Sequence, residues 1–183
     1  MQGPLTEAHP SARPYLPGSE LCPRLFDQSY QTQGVGGKVS IKAEDFMVHE
    51  IPKYLPSQEG EHCMVHIIKS ERNTEEAVKA IAEATGVLSK DIAYAGRKDK
   101  HALTTQWLSV PCSIDQVTSN DDQVQILSAY PHKQKMRLGH NLGNLFSILI
   151  SDINPNCNLN KEIERIKQGL PNYFAEQRFG NAW

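Results

Sequence analysis

Apolar and polar positions alternate along much of this chain, the period-two pattern of half-buried β-strands. Val39, Ile41 and Phe46-Met47-Val48 begin the pattern, and Cys63 to Ile68 continue it. Ile92 to Ala95, Thr105 to Val110, Val124 to Tyr130 and Leu145 to Ile150 are further strand candidates. The period lengthens in two places. Asn73-Thr74-Glu75-Glu76 predicts a helix start, because Asn73 can cap the free amides and Glu76 stands where a capping box needs it. Ala77, Val78, Ile81, Ala82 and Thr85 then form one face, and Gly86 suits the position after the last turn. A second helix is predicted after Asn160 as its cap, with Ile163 and Ile166 buried and a stop at Gly169-Leu170-Pro171. Residues 1–32 carry Pro4, Pro10, Pro14, Pro17 and Pro23, a density that prevents continuous helix or central strand. They read as a Pro-rich arm, and residues 33–183 as one folded unit. Strands dominate without a strand–helix–strand rhythm. The expected fold class is therefore α+β, with a mixed, largely antiparallel sheet and flanking helices.

Composition narrows the class only a little. At 39 % hydrophobic residues, the 183-residue chain can bury a core. A net charge of −2 neither favours nor excludes nucleic acid, since a local basic groove can bind phosphates on a neutral protein. Four well-separated cysteines, Cys22, Cys63, Cys112 and Cys157, give no CxxC spacing, which argues against a zinc knuckle or a redox pair in one loop. His62 and His66 share a strand face, but no third ligand is close in sequence, so no metal site is expected. The N-terminus lacks the basic and apolar regions of a signal peptide, and no apolar run reaches membrane-spanning length. A reduced, cytoplasmic, soluble protein without a membrane partner is the expectation.

The segment with the most chemistry runs from Tyr94 to Trp107: a strand, Gly96, a charge cluster and a second strand. Gly96 would permit a turn that other residues resist. Lys98, Lys100 and His101 surround one carboxylate, Asp99. Neighbouring cations favour an ionised carboxylate, and such a carboxylate can act as a nucleophile. The same cations could grip a phosphate backbone. On residue types alone, a solvated surface turn explains the cluster as well.

This segment resembles the signature AGxKDxxAxTxQ of the TruD family of tRNA pseudouridine synthases, with Ala95, Gly96, Lys98, Asp99, Ala102, Thr104 and Gln106 at the fixed positions. Three further segments resemble family motifs in order. They are Glu44 to Glu50 (EDFxVxE), Arg137 to Phe146 (RLGxxxGNxF) and Pro171 to Gly180 (PNYFxxQRFG). The resemblance implies the N-terminal part of that family's catalytic domain. It implies isomerisation of uridine, typically uridine 13, in tRNA without cofactor or metal, and Asp99 as the catalytic nucleophile. Phe46, Asn144 and Phe146 fall on positions that line the uridine site, and Lys98 and Gln106 support the motif. An aromatic face holds a flipped base for roughly 1–3 kcal/mol, although both phenylalanines also suit a core. Gln177 and Arg178 read as structural.

Two departures stand beside the match. The family's basic residue six positions before the Phe of EDFxVxE is replaced by Ser40, with Lys38 and Lys42 on either side, and the usual Pro before Glu44 is Ala43. Family members are also roughly twice as long, with an inserted domain and C-terminal segments that complete the sheet. The expected partners are therefore tRNA and either a second copy, as a homodimer, or a complementing C-terminal half. The alternative reading is a truncated or degenerate member that binds tRNA without catalysis.

Overall fold

The computed structural model describes residues 34–39 and 42–169. The Pro-rich arm, Ser40 and the Pro171 to Gly180 motif with Gln177 and Arg178 lie outside the described residues. Contacts divide the chain into two units: residues 37–152 form one, and residues 153–169 with 34–36 are described in the other.

The larger unit is built on one sheet. β2 (Phe46–Pro52), β3 (His62–Lys69), β5 (Leu103–Val110), β6 (Val124–His132) and β7 (Asn141–Ile148) lie in the order β6-β3-β5-β2-β7, with short β4 (Ala93–Tyr94) on β5. β2 and β5 run parallel and the other pairs antiparallel. The expected mixed, largely antiparallel α+β sheet is what forms. β1 (Gly36–Val39) and β8 (Ile150–Ile153) pair as a separate ribbon. The predicted Leu145 to Ile150 strand is thus two strands that meet at Leu149, whose amide donates to Asp45 O at 2.8 Å.

α1 (Thr74–Thr85) forms where its local signals placed it. Asn73 Oδ1 accepts from the Glu76 amide at 2.8 Å, and Glu76 Oε2 accepts from the Asn73 amide at 2.7 Å. Gly86 closes the helix at φ 74°. Ala77, Val78, Ile81 and Ala82 pack onto Cys63, Val65, Ile67 and Leu108 of the sheet, and this is the core. α2 (Leu159–Lys167), in the smaller unit, is capped by Asn158 and not by Asn160: the Asn158 side chain accepts from the Lys161 amide at 3.1 Å. The helix therefore starts earlier than its sequence suggested. Ile163 and Ile166, expected in a core, are 39 % and 50 % exposed.

The sheet is buried unevenly. β3 and β5 are almost wholly enclosed, whereas β7 is exposed at Leu142, Leu145, Phe146 and Ile148. No helix among the described residues is long and apolar enough to cross a membrane.

Candidate active site

Side chains two apart on a strand share a face. One buried face carries Cys63, Val65, Ile67 and Lys69 on β3 and Thr104, Gln106, Leu108 and Val110 on β5. On β2 the matching set is Phe46, Val48 and Glu50. Charged or polar groups therefore occupy apolar-face positions, and each must find a partner there. Glu50, Lys69 and Gln106 find it in the chain from Gly96 to Asp99.

Glu50 is 5 % exposed, and its Oε2 lies 2.6 Å from Lys98 Nζ, an ion pair whose two side chains are 0 % and 5 % exposed. Glu50 Oε1 accepts from the Trp107 amide at 3.2 Å, next to where the β2–β5 pairing ends. Thr74 Oγ1, at the start of α1, accepts from the Lys98 amide at 2.8 Å and donates to Gln106 Oε1 at 3.1 Å. Gln106 Nε2 donates to Gly96 O at 2.6 Å. Lys69, 1 % exposed, donates from Nζ to Asp99 O at 2.8 Å and to Arg72 O at 2.6 Å. Burial pushes the Lys69 ammonium down to about 8, and the nearby Asp99 charge works against that shift. Four buried side chains from four elements thus hold the chain from Gly96 to Asp99: Thr74, Gln106 and Lys69 through its main chain, and Glu50 through the Lys98 side chain. The Asp99 carboxylate itself is exposed, and no cation or hydrogen-bond donor closes on it among the described residues.

This arrangement corrects two expectations. The cations flanking Asp99 do not gather around it. Lys98 is committed to Glu50, Lys100 pairs with Glu76 at 3.1 Å, His101 lies 3.3 Å from Glu71, and Arg97 pairs with Glu75 at 2.7 Å. The capping-box Glu76 is held below the usual carboxylate range by the Asn73 amide first and by Lys100 second. Gly96 does not use its conformational freedom: its φ is not positive, and a Cβ there would meet only Lys98 Nζ, at 4.0 Å.

The register carries the turn's level across the sheet. Lys69 lies opposite Thr104, Thr104 beside Val48, and Val48 opposite Phe146. Directly paired residues point to one face, and three strand spacings amount to roughly 14 Å. Asp99 is tied to the β3 end of this row, and Phe146 stands at its β7 end. Phe46 meets Phe146 edge to face, with ring centroids 6.3 Å apart, and Asn144 lies opposite Glu50. Phe146 is 54 % exposed, so it is not the core residue that strand alternation allows. Thr104 Oγ1, in the middle of the row, is buried without a hydrogen-bond partner. Asp99, Phe46, Asn144 and Phe146 therefore address one sheet face, and Lys98 and Gln106 lie beneath the turn.

Residue types alone did not single out Glu50, Lys69 or Thr74. The period-two pattern held the signal for the first two, since each continues a buried face past its last apolar residue. Lys38 pairs with Asp152 at 3.0 Å, away from this network. His66 stacks on Trp107 at 4.4 Å, and His62 Nδ1 is buried and unpartnered. Among the described residues no group of three His, Cys, Asp or Glu could hold a metal.

The profile of the family described as tRNA pseudouridine synthase D (TruD) matches residues 28–182. A curated relative of that name from Thermus thermophilus is 40 % identical over 152 residues, covering 80 % of this chain and 43 % of its own length. One from Campylobacter jejuni is 41 % identical over 146 residues, covering 77 % and 39 %. A crystal structure from Methanosarcina mazei, described under the tRNA pseudouridine synthase D name, superimposes with a TM-score of 0.71 at 32 % identity, covering 83 % of this chain and 37 % of that one. The chain spans less than half the length of the relatives it matches.

Proposed function

Because this chain belongs to the tRNA pseudouridine synthase D family, we propose that it isomerises uridine to pseudouridine in tRNA, at uridine 13, with Asp99 as nucleophile. The observation that carries the reading is the contrast at the turn. Its main chain is locked by Thr74, Lys69 and Gln106 and its Lys98 side chain by Glu50, while its one carboxylate, left without a partner among the described residues, is presented to solvent. Fixing a nucleophile's backbone while leaving its functional atoms free is how a site lowers the entropic cost of attack.

The target nucleotide leaves its stack to reach the turn. Asp99 attacks, at the sugar C1′ or at the base, and the N1–C1′ bond breaks. The uracil turns in place and C5 bonds to C1′ as the bond to Asp99 breaks and its carboxylate is regenerated; the C5 proton leaves and N1 is protonated. Atoms balance, so no cofactor is consumed. Phe146 and Phe46 wall the site and retain the detached base by stacking, and Asn144 hydrogen-bonds the base edge or ribose. Such an activity belongs in the cytoplasm, with tRNA.

A second reading rests on β7. Its exposed apolar residues favour a site completed by another segment, either a second copy or a complementing half. The test assays unmodified tRNA transcript with this chain alone and with the chain joined to the remaining length of a family member, mapping pseudouridine by chemical modification and primer extension. One new pseudouridine at position 13 is expected, absent in Asp99→Asn while tRNA binding persists. Product in the Asp99→Asn variant would overturn the assignment.

A further inference from the structure

Positive charge on this protein is not where its sequence concentrates it. Every cation around the Asp99 turn that is not buried faces a carboxylate: Arg97 with Glu75, Lys100 with Glu76, His101 with Glu71, and half-buried Arg72 with Asp121 at 2.6 Å. A phosphate arriving there would have to displace those partners.

The segment from Pro131 to His140 is the opposite case. It contains Lys133, Lys135, Arg137 and His140 and no acid. Among the described residues only Lys133 has an acidic partner there, Glu59, at 2.5 Å. The segment is held in place from beneath. Met136 is 3 % exposed, its amide donates to Ser109 Oγ at 2.8 Å, and the Gly139 amide donates to Ala95 O at 2.7 Å. His140 O accepts from the Lys53 amide at 3.3 Å, and Tyr54 Oη lies 2.8 Å from His140 Nδ1. With Met136 turned inward, Lys135 and Arg137 stand exposed on either side of it. Lys135 Nζ reaches Lys90 O at 3.3 Å, and Arg137 is close enough to Tyr54 to act on its hydroxyl. Lys53 and Lys90 are exposed as well. Lys53, Lys90, Lys135 and Arg137 make no ion pair among the described residues, and Asp91 is the acid beside Lys90.

We propose that Lys53, Lys90, Lys135 and Arg137 form the surface on which the phosphodiester backbone of the RNA substrate docks, and that the paired cations of the Asp99 turn contribute little to it. The proposal rests on the tRNA reading above and adds the place of contact. The surface joins the site at both ends. Gly139 bonds the residue just before Gly96, and His140 leads straight into β7, which carries Asn144 and Phe146. Met136 packs with Met64 and its amide bonds Ser109, on the sheet face opposite the row, so RNA held on this surface comes to the row that runs from Asp99 to Phe146 around the turn at Gly96 and the start of β7. A preformed surface of unpaired cations releases counterions from RNA without first breaking protein ion pairs, so affinity goes to these side chains.

The experiment measures binding of an unmodified tRNA transcript to the 183-residue chain from about 50 to about 300 mM salt, a range wide enough to resolve the slope of log K against log salt. One variant carries Lys53→Gln, Lys90→Gln, Lys135→Gln and Arg137→Gln, and a second carries Arg97→Gln and Lys100→Gln. Thermal unfolding checks that both remain folded. The first should lose more than about tenfold in affinity, with a slope shallower by roughly 2–3, and the second should stay within about threefold. Equal or greater loss in the second variant, an unchanged slope in the first, or no RNA binding by the parent chain would overturn the surface. If the surface variant loses binding but Asp99→Asn still yields pseudouridine, the surface stands and the catalytic reading falls. If Asp99→Asn is inactive and the surface variant binds normally, the reverse holds.

Discussion

The two ends of the row across the sheet are built on opposite principles. At the Asp99 end, charge is buried and matched: Glu50 with Lys98, Lys69 with two carbonyls, and Thr74 with Gln106. At the β7 end, apolar side chains stand in solvent, and the neighbouring Lys53, Lys90, Lys135 and Arg137 make no ion pair among the described residues. The first end accepts a desolvation cost to fix one turn, which only a complete set of partners makes tolerable. The second is unfinished or waiting, as surfaces that bind are. On the proposed function, catalytic geometry and substrate capture are thus separated, and substitutions at the two ends should fail differently.

The largest stability effect belongs at the matched end. Glu50→Gln leaves the Lys98 ammonium buried without a counter-charge and should cost about 3–5 kcal/mol in urea unfolding. The double change Glu50→Gln with Lys98→Met should recover part of that loss, because it removes the stranded charge. Next comes a pH dependence. As pH rises, Lys69 keeps its proton up to about 8 in the fold, and up to its ordinary value near 10.5 in the unfolded chain. Across that window the unfolded chain binds more protons, so stability rises with pH and is lost as pH falls through 8. Lys69→Met should lack this rise, of up to about 3 kcal/mol, when unfolding at about pH 8 and about pH 10 is compared. At the open end, Phe146→Ala should leave the unfolding midpoint nearly unchanged yet lower kcat/KM by an amount worth roughly 1–3 kcal/mol. If it unfolds the chain instead, Phe146 is a core residue and the comparison collapses. The smallest effect is expected for His101→Gln: exposed, and set against exposed Glu71, it should shift the midpoint by no more than about 0.5 kcal/mol.

What could be read from the sequence follows the range of the forces involved. α1 was legible to the residue, because Asn73, Glu76 and Gly86 act within one turn. α2 was displaced by two residues because Asn158 and Asn160 are both good caps, and sequence alone does not choose between them. The strands were legible from alternation, except at Leu149, where a bond to Asp45, more than 100 residues away, divides one run into two. In the site, the motif gave Asp99 and Gln106 their places. The partners of Lys98, Lys100 and His101 were hidden because each lies 24 or more residues away. A charge cluster in sequence was therefore read as one cluster in space, when its members are shared out among β2, α1 and the residues before α1.

The most direct test of this account compares single-turnover pseudouridine formation by Asp99→Asn with that by Lys100→Gln, its neighbour on the same turn. If the turn exists to present one free carboxylate, Asp99→Asn falls by more than about 10⁴-fold and Lys100→Gln stays within about threefold, because its charge is already engaged by Glu76. A turnover by Asp99→Asn close to the parent's, or a collapse of Lys100→Gln to the level of Asp99→Asn, would contradict it.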